Sequence, residues 1–307
     1  RRPPMNTTTA PAVPPALPGE AFDLDSAAGR LRVYRSVPSQ AATTLPLLLV
    51  HSVNAAGSAR EVRPLYEHYR QHRPVIAFDL PGFGLSEQGD RPYSPRLMTD
   101  AVLAVVQELR RLHGPVPIDT LAVSLGCEFL ARAAVESPAS FRSVALVSPT
   151  GFSGTTRRLG PPGSTRKLPG LHAVLSVPLW GAGLFRALTR PGVIRFFLEK
   201  TWGSKAIDED LWRYDTLITR QPGAHHAPLH FLGGGLFSGD VNALYDALAM
   251  PVWMSHGTRG DFVDYRGKAA YTARPNWRFD VFEAGALPYF ELPADFMRRY
   301  DAFLASS

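Results

Sequence analysis

Short apolar runs alternate with amphipathic segments along most of this chain, and that alternation limits the fold more than any single residue does. Strands are predicted at residues 31–34, 45–50, 75–78, 120–123, 144–147, 252–254 and 279–282. Helical periodicity lies between them, at residues 59–69, 95–112, 125–135, 265–272 and 293–304. Such a sequence specifies an α/β protein, a mostly parallel sheet with helices on both faces. Residues 152–248 break the rhythm. They are rich in Gly, Pro, Trp and Phe, carry helical pieces at 193–199 and 211–217, and offer no buried strand. The simplest organisation is a core of residues 21–151 and 249–307, a helical insertion at 152–248 that the core can fold without, and a disordered arm at 1–20 biased to Pro, Thr and Ala.

Composition agrees with a globular protein. The 307 residues are 45% hydrophobic and 20% charged, enough for a full core. One cysteine, Cys127, excludes an internal disulfide and any cysteine-based zinc site, and fits a reducing cytoplasm. No apolar run reaches the ~20 residues of a membrane span, so no membrane partner is expected. The net charge of +6 invites nucleic acid, but the basic residues are scattered and no recognition motif accompanies them.

The stretch DTLAVSLGCEFLARAA, residues 119–134, carries the chemistry. An apolar strand runs into Ser124 and straight on into a helix, the context of a nucleophile on a sharp turn. Small neighbours are needed two positions either side, and Ala122 and Gly126 supply them. The helix N-terminus then points at the Ser124 hydroxyl.

Here the chain resembles the α/β-hydrolase fold superfamily over nearly everything after residue 20. LLLVHSVNAAGSAREVRPL looks like the family's strand, oxyanion turn and first helix, and VIAFDLPGFGLSE is close to its most recognisable non-catalytic signature. PVWMSHGTRGDFVDYR resembles the seventh strand and acid loop, and VFEAGALPYFELP the last strand and histidine turn. The resemblance implies an eight-stranded, mostly parallel sheet with a helical cap inserted after strand six, where residues 152–248 fall. It implies Ser124 as nucleophile, Asp261 as acid with Asp264 as fallback, and position 286 as base. Asp79 looks like a family structural aspartate, and Cys127 a packing residue behind the turn. His51 takes the family's structural histidine position, while Ser52 stands where the family has Gly. The backbone N–H groups of Val53 and Leu125 are the implied oxyanion hole.

The base is missing. Gly285-Ala286-Leu287-Pro288 keeps the family turn except its histidine. A serine hydroxyl is a weak nucleophile until a base takes its proton, and losing that base costs on the order of 10⁴ to 10⁶ in kcat. The turn around Ala286 is otherwise intact, which favours a His-to-Ala change that traps substrate over a protein that binds without hydrolysing. His225, His226 and His230 in the insertion are candidates for a substitute base if they sit over the site, although neighbouring histidines on an exposed loop are usually just solvated.

Trp180, Phe185, Phe196, Phe197, Trp202 and Trp212 suggest a mainly apolar pocket for a small molecule. No phosphate loop or metal constellation is visible, so no cofactor or metal is expected. The reading is a capped serine hydrolase of an ester, lactone or thioester, inactive or very slow as given. A non-catalytic small-molecule binder is the alternative. Carbon–carbon bond hydrolysis is a further one, disfavoured by Ser124-Leu125-Gly126-Cys127 where those enzymes show Ser-x-Gly-Gly. The sequence does not decide between monomer and dimer.

Overall fold

The computed structural model describes residues 13–40 and 45–307. Eight strands form one sheet in the order β1-β2-β4-β3-β5-β6-β7-β8. They are β1 (Glu20–Ser26), β2 (Gly29–Ser36), β3 (Leu47–Val50), β4 (Val75–Phe78), β5 (Ile118–Val123), β6 (Phe141–Val147), β7 (Val252–Gly257) and β8 (Trp277–Phe282). β1 and β2 form an antiparallel hairpin, β2 runs antiparallel to β4, and every later pairing is parallel. The central strands β3, β4 and β5 are buried at every position between two helical layers; β3 and β4 are continuous apolar runs, and β5 buries Asp119 by pairing it with Arg73 and Arg142.

The helices of the core are α1 (Arg63–Tyr69), α2 (Pro95–His113) and α3 (Gly126–Glu136). Six more lie between β6 and β7: α4 (Leu171–Leu175), α5 (Gly181–Leu188), α6 (Pro191–Trp202), α7 (Glu209–Ile218), α8 (His226–Leu232) and α9 (Val241–Ala247). The chain closes with α10 (Pro288–Glu291) and α11 (Pro293–Ala305). α2 begins where Ser94 accepts from the Leu97 N–H and Pro95 takes the first turn, so the sequence starts it sharply.

Two apolar clusters fill the two faces of the sheet. One is built around α2, α3 and α9, the other around α1, α7, α10 and α11. The segment between β6 and β7 contributes Tyr245 and Leu236 to the first, and Trp202 and Tyr214 to the second. It also buries Phe185, Ile194 and Leu229 outside both clusters.

The expectation of a disordered arm over residues 1–20 needs correction. Residues 1–12 lie outside the described residues, but residues 13–19 are docked. Ala16 and Leu17 are buried beside Tyr34 and Tyr66. Arg60 donates to the Ala16 carbonyl at 2.8 Å and Tyr214 to that of Pro14 at 3.1 Å. Composition marks a segment as polar and proline-rich; it does not reveal two apolar side chains finding a slot.

Candidate active site

Ser124 adopts φ 51°, in the left-handed region that costs a side chain-bearing residue of order 1–3 kcal/mol. β5 ends one residue earlier and α3 begins two later, so the chain must reverse at Ser124 itself. Its N–H is fixed to the Val147 carbonyl at 2.8 Å. The turn closes only because residue 126 is Gly: a Cβ there would fall on the His51 carbonyl oxygen, well inside contact distance. Among the described residues the N–H groups of Val53 and Leu125 find no acceptor, although both residues are buried. The Leu125 N–H belongs to the residue that follows Ser124, at the start of α3.

The turn that carries Val53 is held from below. His51 is fully buried, donates from Nδ1 to the Ser52 carbonyl at 2.5 Å and accepts the Leu80 N–H at Nε2 at 2.9 Å. Burial pushes its pKa down to about 4, so the ring is neutral and structural. Ser52 donates its N–H to Glu61 Oε2 at 2.6 Å and its hydroxyl to Oε1 at 2.7 Å. Asp79 accepts from the Ala59 N–H at 2.7 Å, the Leu85 N–H at 2.9 Å and the Tyr34 hydroxyl at 2.8 Å. It thereby ties the end of β4 to the segment that follows the oxyanion turn. Burial still raises its pKa to about 6.

At the last turn, Ala286 is buried. Its N–H donates to the Thr201 carbonyl at 2.9 Å and its carbonyl accepts the Ser148 hydroxyl at 2.6 Å. Ser148, at the end of β6, is the second non-glycine residue with positive φ, 48°. Glu291 accepts the Gly285 N–H at 2.6 Å and pairs with Arg259. This explains why the turn keeps an acidic residue with no catalytic base to serve.

Both candidate acids lie in the loop after β7, and the end of α6 links that loop to the last turn: the Lys200 carbonyl takes the Asp261 N–H and the next carbonyl, Thr201, takes that of Ala286. The Asp261 side chain is 56% exposed and lies 3.7 Å from Lys200 Nζ, while its N–H donates to the Lys200 carbonyl at 3.1 Å. Asp264 accepts from the Gly154 N–H and the Arg266 guanidinium, both at 2.9 Å, and Arg266 holds its carboxyl well below the usual range. Both therefore serve the surface of the loop after β7.

The aromatic residues of the insertion do not form one wall. α6 turns Ile194, Leu198 and Trp202 inward, so Phe196 and Phe197 land on the opposite face and are exposed. Trp180 is exposed too, its ring N–H satisfied by the Val174 carbonyl at 2.9 Å. These three are removed from the expected pocket. Phe185 and Trp202 are buried, and Trp202 packs on Phe290 with ring centroids 5.4 Å apart. Trp212 is partly buried and donates to the Pro191 carbonyl. His230 stacks on His172 with centroids 3.6 Å apart, the His225 and His226 rings are tilted against each other at 4.0 Å, and His226 lies 3.7 Å from Asp90. A cavity of about 380 Å³ lies among His68, Arg73, Arg142 and Leu304, at the N-terminal ends of the parallel strands and so at the opposite end of the sheet from Ser124. Among the described residues no group of three His, Cys, Asp or Glu side chains could hold a metal ion.

Sequence reasoning missed two buried acids near the oxyanion turn. Glu61 is one. Asp215 on α7 is the other, its carboxyl pushed well up by burial and then by the nearby Glu61 charge. No spacing rule marks either one: Glu61 takes a neighbour nine residues earlier, and Asp215 reaches Glu61 from α7, far along the chain.

Comparison with known proteins agrees with this architecture. A probable hydrolytic enzyme from Pseudomonas aeruginosa PAO1 superposes with a TM-score of 0.71 at 20% identity, over 94% of this chain and 95% of that one. The enol-lactonase from Burkholderia xenovorans LB400 gives 0.68 at 13% identity, over 92% and 100%. The 2-hydroxy-6-oxo-6-phenylhexa-2,4-dienoate hydrolase from Rhodococcus sp. strain RHA1 gives 0.67 at 17%, over 93% and 99%. No curated protein sequence matches the chain. The alpha/beta hydrolase fold pattern matches residues 46–291, and with the sheet order and the turn at Ser124 this makes the chain a member of the alpha/beta hydrolase fold family.

Proposed function

We propose that this protein binds a small acyl compound, an ester, lactone or thioester, with its carbonyl carbon at Ser124 and its oxygen between the N–H groups of Val53 and Leu125. The observation that carries the reading is the pair of buried, acceptor-less N–H groups beside a serine held in a strained turn. With Ala at position 286 no base takes the Ser124 proton, so turnover is very slow or absent. Residues 152–248 act as a cap over the site, and the single buried thiol suits a cytoplasmic setting.

The test restores the base. Ala286→His is expected to raise hydrolysis of p-nitrophenyl esters above background, and Ser124→Ala in that variant to abolish it. The gain should fall short of a full triad by roughly 10⁴, because an imidazole without its orienting carboxylate loses about that factor and Asp261 is turned toward Lys200. Inertness of Ala286→His toward aryl esters, lactones and thioesters would overturn the hydrolase reading.

The Asp261 placement favours a second reading, a small-molecule binder in which acid and base are both absent by nature. In that case ligand affinity is unchanged by Ser124→Ala. Carbon–carbon bond hydrolysis has only the names of distant structural neighbours behind it, and the lack of a second Gly after Gly126 speaks against it.

A further inference from the structure

α4, the turn after it and α5 form a hairpin on the outside of the molecule, and the sequence there is unusual in two ways at once. Residues 166–190 contain Arg166, Lys167, Arg186 and Arg190 and no acidic residue. All four cations are exposed, and none forms a salt bridge among the described residues. Over residues 157–205 the count is nine Lys or Arg against the single acid Glu199, so this segment exceeds the +6 of the whole chain. Within the same hairpin Leu168 is 57% exposed, Val174 57%, Leu179 87% and Trp180 48%. The inner side is the packed one, where Gly181 and Phe185 are buried and both helices contact α8.

We propose that this hairpin docks the protein peripherally on an anionic lipid surface. Leu179 and Trp180 enter the boundary between headgroups and acyl chains, and the four cations meet lipid phosphates. An exposed apolar tip with cations on either side of it along the chain is the chemistry of an interfacial anchor, in which apolar burial and attraction to acidic lipid add. Trp180 is suited to that depth because its N–H is already bonded to the Val174 carbonyl, so moving the ring out of water strands no donor. Charge also argues against a second copy on this face, since a symmetric contact would set like charges against each other. The docking needs no spanning segment, and none of the helices among the described residues is long and apolar enough to cross a membrane. It goes beyond the chemistry at Ser124 and does not depend on it.

The experiment is co-sedimentation of the whole protein with vesicles of phosphatidylcholine alone and of phosphatidylcholine with phosphatidylglycerol. Binding is expected to the anionic vesicles only, to weaken as salt is raised, and to bring a blue shift in tryptophan emission. Trp202, Trp253 and Trp277 are at most 5% exposed, and Trp212 is partly buried with its ring covered by Arg195 and its N–H on the Pro191 carbonyl, so Trp180→Phe should remove most of the shift. The pairs Leu179→Glu with Trp180→Glu, and Arg166→Glu with Lys167→Glu, should each weaken partitioning by roughly tenfold or more. All four sites are exposed, and an unchanged Tm would verify that the fold is intact. Equal binding to both vesicle types, binding without the blue shift, or binding indifferent to these variants overturns the proposal. So does a dimer that forms through Trp180 and excludes vesicles.

Discussion

A serine where the resembled turn has glycine must find an acceptor for its hydroxyl inside the protein, and Glu61 provides one oxygen for it and another for the Ser52 N–H. Glu61→Ala leaves both donors buried without partners. The expected cost is about 2–3 kcal/mol in chemical denaturation, and Val53 loses its fixed position. Glu61→Gln keeps one oxygen for the N–H and an amide that the Ser52 hydroxyl can accept from, so it should cost under ~1 kcal/mol. Equal losses from the two variants would show that the pairing is incidental. His51 adds a pH dependence with a definite sign. Its pKa in the folded protein, about 4, lies below the ordinary value, so its contribution is complete above about 6.5 and is lost as pH falls toward 4, where the unfolded chain takes up the proton first. The stability lost in His51→Gln should therefore be smaller at pH 4 than at pH 7, by ~3 kcal/mol. Asp79 works in the opposite direction. Raised to about 6, it is the folded state that protonates first, so acidification from pH 6 to 4 favours folding through this group. Guanidinium titrations of the wild type, His51→Gln and Asp79→Asn at the two pH values read the two contributions.

Among the elements, the turn from β5 into α3 has the least freedom. Gly126→Ala places a methyl against the His51 carbonyl, with backbone on both sides and no flexible side chain to give way. The expected loss is about 3 kcal/mol, the upper end for overpacking, with the Ser124 turn displaced. A variant within 1 kcal/mol of wild type in urea would show that the turn relaxes. This turn was legible in the sequence because its contacts are local, and so was VIAFDLPGFGLSE, where a Cβ on Gly84 would strike the Asp79 carboxylate. The seven predicted strands all exist, within a few residues. β1 was not read: its apolar residues are only Ala21, Phe22 and Leu24, half of an edge hairpin paired on one side alone. The short helices α4, α5, α8, α9 and α10 were also missed, since four to eight residues barely exceed two turns and α8 contains Pro228, while the helix predicted at residues 265–272 is only a 3₁₀ turn, Arg266–Ala270. The direction of Asp261 was beyond reading for a different reason. It is set by the Lys200 carbonyl, sixty-one positions earlier in the chain.

For the whole molecule, the question is whether residues 152–248 are a lid laid on a finished core or part of that core. The sequence favours the first, because the insertion interrupts a regular alternation. The packing favours the second. Tyr245 and Phe152 stack at 5.0 Å within the cluster built on α2 and α3, while Trp202 and Tyr214 belong to the cluster on the other face. Polar links run the same way: Arg63 pairs with Asp208 at 2.9 Å, Arg132 with Asp240 at 2.7 Å and Arg274 with Asp246 at 2.7 Å. A fully buried large apolar side chain is worth about 1.5–3 kcal/mol, and a domain's whole margin is only about 5–15 kcal/mol, so losing five or more such residues exceeds what the sheet can spare. Replacing residues 152–248 by a short linker is therefore expected to yield a chain without a cooperative transition, while the intact protein melts in one step with equal calorimetric and van't Hoff enthalpies. Two resolved transitions in the intact protein, or a deletion variant that melts cooperatively with its sheet signal kept, would show that the two faces of the sheet close without the insertion.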